Sequence, residues 1–248
     1  NIGNGVFQDC TNITSVLIQS NLTFLYGLGI NSTNCTWTFD YSGNISDNAY
    51  MYNNSVTSVI IGNNIISIGE QSFYGCSSLK NVTIDMSNSN LTSISAAAFS
   101  DCTALTTIPI GPNVTTIGDY AFSGCTGFTG TLIIPASVTS IGGNNIFSGC
   151  TNITDVIIYA NLTFSYALGL SGSKNWTFSY NGVIPDGALQ YLPNLTSVTI
   201  GTNITSIGST AFYNCTSLTG IKIPKGVKTI GYATFYNCNA ITSIIIPS

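Results

Sequence analysis

The stretch IGSTAFYNC at residues 207–215, continued by TSLTGIKIP at 216–224, decides the fold of this chain. The same arrangement returns one period later as IGYATFYNC at 230–238 and NAITSIIIP at 239–247. A phrase that repeats at a fixed period of this size is the signature of stacked supersecondary units, each packed against its neighbours. The sequence therefore predicts a solenoid.

Each repeat contains a strand-like half and a returning half. In residues 195–200, for instance, Leu195, Val198 and Ile200 alternate with serine and threonine, which predicts a short strand with its apolar side chains inward. The glycine of the Ile-Gly pair permits the tight bend, and the phenylalanine that follows fills the interior. We expect a β-rich leucine-rich-repeat solenoid over residues 1–248, with a parallel β ladder of about eleven repeats, little helix and a single continuous core.

Cysteines recur at one position of the repeat, immediately before the strand. A slot that holds Leu192 in another repeat is apolar, so these cysteines are predicted to form a buried structural ladder of thiols. An even count of eight cysteines leaves a disulfide framework as the alternative. Cys35 stands outside the ladder, either as a thiol or paired between molecules. The ladder consists of Cys10, Cys76, Cys102, Cys125, Cys150, Cys215 and Cys238.

The sequence also repeats over a longer distance. A block of about six repeats is duplicated at a shift of about 140 residues. The duplicated block includes divergent repeats at 21–43 and 161–182, which carry Trp37 and Trp176. These tryptophans are either surface aromatics that anchor a ligand or part of an altered strand that packs inward. The divergent repeats either have a function of their own or were copied with their surroundings.

The Ile-Gly-x-x-Ala-Phe-x-x-Cys phrase and the strand behind it resemble the BspA-like leucine-rich repeat family, over nearly the whole chain. The resemblance implies an extracellular surface protein connected with adhesion and partner binding, without catalytic residues. The divergent repeats at 21–43 and 161–182 depart from the family pattern.

Composition excludes several classes of function. Charged residues make up 6% of the chain, histidine is absent and the formal net charge is −4. Five scattered lysines do not form the basic stripe that nucleic acids require. Without histidine neither a Ser-His-Asp nor a Cys-His arrangement exists, and the nine acids show no catalytic pairing. We predict no enzyme, no cofactor, no metal site and no membrane insertion, since no apolar run approaches the length of a spanning helix.

Asparagine sequons indicate the compartment. They are either built into the repeat template or mark a secreted, N-glycosylated surface protein, and their crowding in the irregular repeat favours the second interpretation. The predicted glycosylation sites are Asn12, Asn21, Asn31, Asn44, Asn81, Asn90, Asn113, Asn152, Asn161, Asn175, Asn194 and Asn203.

Both ends of the sequence read as ordinary repeats, without the polar caps that solenoids normally carry. This pattern fits either a window on a longer array or copies that stack head to tail into a fibril. The sequence therefore predicts a non-enzymatic extracellular glycoprotein that is structural or adhesive and self-associates head to tail. The alternative is the ectodomain fragment of an adhesin that binds a protein or carbohydrate ligand.

Overall fold

The structure is a computed structural model that describes residues 5–21, 28–30, 32, 34–84, 88–143 and 145–246. The chain divides into two compact units, Asn1–Phe128 and Thr129–Ser248. Each unit is a stack of turns in which short parallel strands pair from one turn to the next. The prediction that residues 1–248 form one solenoid with one core stays a prediction.

The first unit has two rows of parallel strands. One row pairs in the order β1, β2, β4, β6, and the other in the order β3, β5, β7, β8. Each turn therefore contributes one strand to each row where both form. The strands are β1 Ser15–Ile18, β2 Cys35–Phe39, β3 Gly43–Ile45, β4 Val56–Ile61, β5 Ile65–Ile68, β6 Asn81–Ile84, β7 Ser93–Ile94 and β8 Thr116–Ile117.

The second unit repeats this plan. Its longer row pairs in the order β9, β11, β12, β14, β16, β18, and its shorter row in the order β13, β15, β17. A single 3-10 turn spans Tyr166–Gly169. The strands are β9 Gly130–Ile134, β10 Ser140–Ile141, β11 Ile153–Ile158, β12 Asn175–Phe178, β13 Gly182–Ile184, β14 Ser197–Ile200, β15 Ile204–Ile207, β16 Ile221–Lys222, β17 Thr229–Ile230 and β18 Ile244–Ile245.

The bend just before each position of the cysteine ladder requires a residue with a left-handed backbone conformation, that is, a positive φ. Gly124 meets this need with a φ of +74°, whereas Asp101 and Asn214 occupy the same position at +58° and +60°. Glycine, asparagine and aspartate tolerate this region better than other residues because of their small or locally hydrogen-bonding side chains. The aspartates at this position are therefore turn residues.

Aromatic rings fill the interior of the turns. In the first unit Phe73 stacks on Phe99 at 5.3 Å between ring centroids, and Phe99 stacks on Phe122 at 5.7 Å. In the second unit Phe212 and Phe235 repeat the contact at 5.4 Å. Such aligned rings contribute packing energy beyond the burial of their area.

The predicted fold class is confirmed: both units are built of parallel β-solenoid turns, about ten in all, with almost no helix in the described residues. The strands are shorter than the pattern suggests, since β14 begins at Ser197 rather than at Leu195. The apolar residue that precedes the strand is buried in the bend instead, as Leu195 shows at 0% exposure.

Candidate functional site: an exposed row of tyrosines

In the second unit, buried and exposed aromatic residues stand side by side in the sequence. Phe212 is fully buried, whereas the tyrosine beside it, Tyr213, is only half-buried. Tyr166, Tyr191 and Tyr236 are each more than half exposed, at 58%, 56% and 59%. Tyrosine tolerates this position because its ring is apolar while its hydroxyl remains in water.

These four tyrosines lie side by side on successive turns, and we call them the tyrosine row. Tyr166 stacks on Tyr191 with centroids 6.3 Å apart, and Tyr213 stacks on Tyr236 at 4.8 Å. Between these stacked pairs, Tyr191 meets Tyr213 edge to face at 5.5 Å. Burial, followed by the neighbouring tyrosines, raises the pKa of Tyr213 above its ordinary value. The Tyr213 hydroxyl is therefore neutral at physiological pH.

The first unit carries the duplicated counterpart of the centre of the row. Tyr52 meets Tyr74 edge to face at 5.3 Å, at positions that correspond to Tyr191 and Tyr213. This pair in the first unit has a charged neighbour, because Tyr74 forms a hydrogen bond to the Asp101 carboxylate. That hydrogen bond raises the pKa of Tyr74. Among the described residues, a row of four tyrosines in contact occurs in the second unit.

Sequence reasoning found part of the tyrosine row. Tyr74, Tyr213 and Tyr236 each follow a periodic phenylalanine in the sequence, which predicts an outward-facing stripe; Tyr213 and Tyr236 do contact each other, whereas Tyr74 contacts Tyr52 in the first unit. Tyr191 was missed because it occupies the left-handed bend position, with a φ of +60°, where other turns have asparagine or glycine. Its match to Tyr52 at a shift of 139 residues was the available signal.

The alternative that the two tryptophans are surface aromatics is wrong. Trp37 is 0% exposed and Trp176 is 1% exposed. Trp37 pairs in register with Val16 and Val59, so it occupies an inward strand position. The Trp176 indole N–H donates to the Ser173 hydroxyl at 2.8 Å, which satisfies its polar atom inside the core. The divergent repeats therefore replace a valine with a larger core residue.

The cysteine ladder is buried from Cys76 onward, but Cys10 is exposed. Cys10 lies in the first described turn, where the described residues include no earlier turn to cover it, and Phe7 beside it is 38% exposed. Burial raises the pKa of Cys76 and of Cys215 to about 12. These thiols are neutral packing groups rather than nucleophiles. Cys35 is also buried, which keeps it from pairing between molecules.

The carboxylates whose contacts are resolved serve local structure. Asp47 accepts a hydrogen bond from the backbone N–H of Glu70 at 2.7 Å, and Asp186 accepts the equivalent bond from Ser209 at 2.6 Å. Hydrogen bonds from Thr154 and Asn175 lower the pKa of Asp155. Among the described residues no group of three or more metal-ligating side chains comes together.

The predicted glycosylation sites that fall within the described residues all have exposed asparagines. Asn31 lies outside the described residues. Three of the amide nitrogens that would carry a glycan already donate a hydrogen bond: Asn113 to the Ser89 carbonyl, Asn175 to Asp155 and Asn194 to the Ser171 carbonyl. The exposed asparagines are Asn12, Asn21, Asn44, Asn81, Asn90, Asn113, Asn152, Asn161, Asn175, Asn194 and Asn203.

Comparison with solved structures agrees with this architecture. A leucine-rich repeat protein from Eubacterium ventriosum is 23% identical, with a TM-score of 0.54 over 98% of this chain and 80% of that one. The T. pallidum leucine-rich repeat protein is 19% identical, with a TM-score of 0.48 over 93% and 79% of the two chains. At 23% identity, the likeness to the Eubacterium ventriosum protein shows the fold alone. No curated protein matches the chain.

None of the helical segments in the described residues has the length and apolar character needed to cross a membrane. The family described as BspA type leucine rich repeat region matches residues 1–36, 43–175 and 182–248 in six copies. These ranges cover almost all of the two units, including the tyrosine row. The chain belongs to the BspA-type leucine-rich repeat family.

Proposed function

We propose that this protein is a non-enzymatic, extracellular adhesion module that holds a protein or carbohydrate partner through the tyrosine row. The observation that carries the proposal is the row itself, in which Tyr166, Tyr191 and Tyr236 are exposed while Phe212 and Trp176 are buried. Exposed rings that contact one another on successive turns form a contiguous apolar surface. Exposed apolar surfaces of this kind mark interaction sites.

Tyrosine suits this role for energetic reasons. It supplies a large amphipathic contact area and loses little conformational entropy when it is immobilised, since only two side-chain torsions are fixed. In the tyrosine row the neighbouring rings already restrain one another at 4.8–6.3 Å. A partner therefore meets a preorganised surface, which lowers the entropic cost of binding.

The test uses the full chain with the double substitution Tyr191→Ser and Tyr236→Ser. Wild-type and variant proteins are applied to a glycan array and to a panel of purified extracellular-matrix proteins. The proposal expects at least one ligand to bind the wild type and to lose at least tenfold in affinity with the variant, since aromatic anchors at such surfaces contribute about 2 kcal/mol or more.

The matched control replaces two exposed tyrosines outside the row, Tyr120→Ser and Tyr159→Ser, which are 44% and 43% exposed. This control is expected to bind like the wild type. If the row variant and the control bind equally, the row is not the adhesive surface. If nothing on either array is retained by the wild type, adhesion itself is rejected.

Secretion and N-glycosylation belong to the same proposal. The support is the exposure of every predicted asparagine that the structure describes, together with a surface of low charge that glycans would help to solubilise. Peptide mapping of the native protein after enzymatic deglycosylation in water labelled with heavy oxygen tests this directly. Asparagines without the heavy-oxygen mass shift would reject the glycoprotein assignment.

A second candidate function is structural, with copies that stack head to tail into a fibril. The supporting observation is the strand β18, whose residues Ile244 and Ile245 are 42% and 68% exposed. An apolar strand edge of this kind is a template for another strand, supplied either by a further repeat or by another copy. Electron microscopy of native extracellular material tests the idea: fibres of constant width support stacking, and discrete particles reject it.

A further inference from the structure

The two units carry opposite net charges. Seven of the nine acids and one of the five lysines lie in residues 1–128, which gives that unit a formal charge of −6. The other two acids and four lysines give the second unit a charge of +2. Three of these lysines, Lys222, Lys225 and Lys228, lie within seven residues of one another. The positive charge of this acidic chain is therefore concentrated in one place.

Lys222 and Lys225 flank an open groove in the second unit. The groove has a volume of about 770 Å³ and runs across β14, β16 and β18. Its floor is apolar: Ile245, which is 68% exposed, and Pro224 supply the accessible surface, while Val198, Ile200 and Ile223 in the lining are nearly buried. Both lysines are exposed, and no carboxylate within the described part of the chain forms an ion pair with either of them. Two cationic groups thus stand beside an apolar floor with their charges available to a ligand.

The first unit contains the same groove without the charges. Val82 and Ile84 of β6 correspond to Val198 and Ile200, and Gly111 corresponds to Pro224. Pro109 stands where the second unit has Lys222, and Pro112 stands where it has Lys225. This groove is smaller, at about 370 Å³. The repeat architecture therefore explains the groove, but it does not explain the lysines.

We infer that the groove between Lys222 and Lys225 is a second binding site, which takes an acidic, aliphatic segment of a partner protein in extended conformation. Three neighbouring strands span about 10 Å, the length of about three extended residues. An aliphatic side chain fits the floor, and carboxylates on either side of it meet the two ammonium groups. Charge complementarity favours this ligand, since the lysines have no acidic partner of their own.

The aliphatic floor favours a peptide over an acidic polysaccharide. Ile245 and Pro224 offer apolar surface to a leucine or valine side chain, whereas the lining supplies only the Thr199 and Thr202 hydroxyls as neutral side-chain partners for a sugar. The site is separate from the tyrosine row, so its failure would leave the proposed adhesive function untouched.

The probe is a fluorescein-labelled hexapeptide of alternating glutamate and leucine, titrated with the full chain and followed by fluorescence anisotropy. Wild type is expected to bind it, and Lys222→Gln with Lys225→Gln is expected to weaken binding about tenfold, because each of the two exposed ion pairs contributes up to about a fivefold factor. Raising the salt concentration from about 50 to about 300 mM is expected to weaken wild-type binding several-fold.

The control variant, Lys80→Gln with Lys174→Gln, has the same net charge but leaves the groove intact, and it is expected to bind within twofold of the wild type. If both variants lost the same binding affinity, net charge alone would explain the effect, and the proposed site would be wrong. Equal binding of a peptide with glutamine in place of glutamate, tighter binding of polyglucuronate, or no binding of the acidic peptide by the wild type would each overturn the inference as well.

Discussion

The thiol of Cys102 donates a hydrogen bond to the carbonyl oxygen of Phe73, one turn earlier, over 3.1 Å. The same carbonyl also accepts the backbone N–H of Cys76 from its own turn, at 3.2 Å. The bond recurs in the second unit, where Cys215 donates to the Leu189 carbonyl at 3.1 Å. The ladder cysteine is thus both a small apolar residue and a donor that links successive turns.

The substitution Cys102→Ala is expected to destabilise the protein by about 1–3 kcal/mol. It removes a fully buried side chain, leaves a small cavity and takes one donor from a buried carbonyl. Urea unfolding followed by circular dichroism measures the free energy of unfolding. Cys10→Ala is the control, with an expected change within about 0.5 kcal/mol because Cys10 is exposed. Equal losses at both positions would refute the ladder as a source of stability.

The buried thiols make stability depend on alkaline pH. An unfolded cysteine ionises near the ordinary value of 9.0, whereas burial raises the pKa of Cys76 and Cys215 to about 12. Between these values the unfolded chain holds fewer protons than the folded one, so the free energy of unfolding falls as pH rises from 9 toward 12. Below pH 9 the contribution is fully present.

The loss approaches about 1.4 kcal/mol per pH unit for each such thiol. Urea titrations at several pH values from 8 to 11 check it. Cys76→Ala is expected to reduce the slope by about one proton, and an unchanged slope would show that this thiol does not contribute.

Thiol chemistry distinguishes the ladder from a disulfide framework. Of the eight cysteines only Cys10 is exposed, and the others are buried thiols. In the native protein an aromatic disulfide reagent is expected to label one thiol per chain rapidly, and none in Cys10→Ser. In denaturant without reductant all eight are expected to react. A lower count under denaturing conditions would mean that disulfides have formed.

The sequence predicts the solenoid well because the inward positions repeat. Phenylalanine and cysteine recur at fixed slots, and a repeated slot must have the same surroundings in each turn, as the stacked rings of Phe73 and Phe99 show. Cys10 and Phe7 depart from this rule because burial depends on a neighbouring turn as well as on the slot. The sequence of one repeat does not show whether a neighbouring turn covers it.

The candidate site was harder to predict. Alternate side chains of a strand point to opposite faces, and the sequence around Trp37 does not show which face is the inner one. The register of Trp37 with Val16 and Val59 shows that it points into the core. Tyr191 was hidden because backbone φ, not residue type, defines its bend position. Features that arise from register and local backbone therefore need the structure, whereas features that arise from the repeat do not.

Neighbouring substitutions at Phe212 and Tyr213 separate core from surface within one turn. Phe212→Ala is expected to cost about 3–5 kcal/mol, because the ring is fully buried and stacks on Phe235 at 5.4 Å. Tyr213→Ala is expected to cost about 1 kcal/mol or less, because its ring contributes mainly contacts with Tyr191 and Tyr236 at the surface. Urea unfolding of both variants against the wild type measures the difference. A large loss for Tyr213→Ala would show that the row is retained for folding, whereas a small one leaves binding as the reason for keeping these rings exposed.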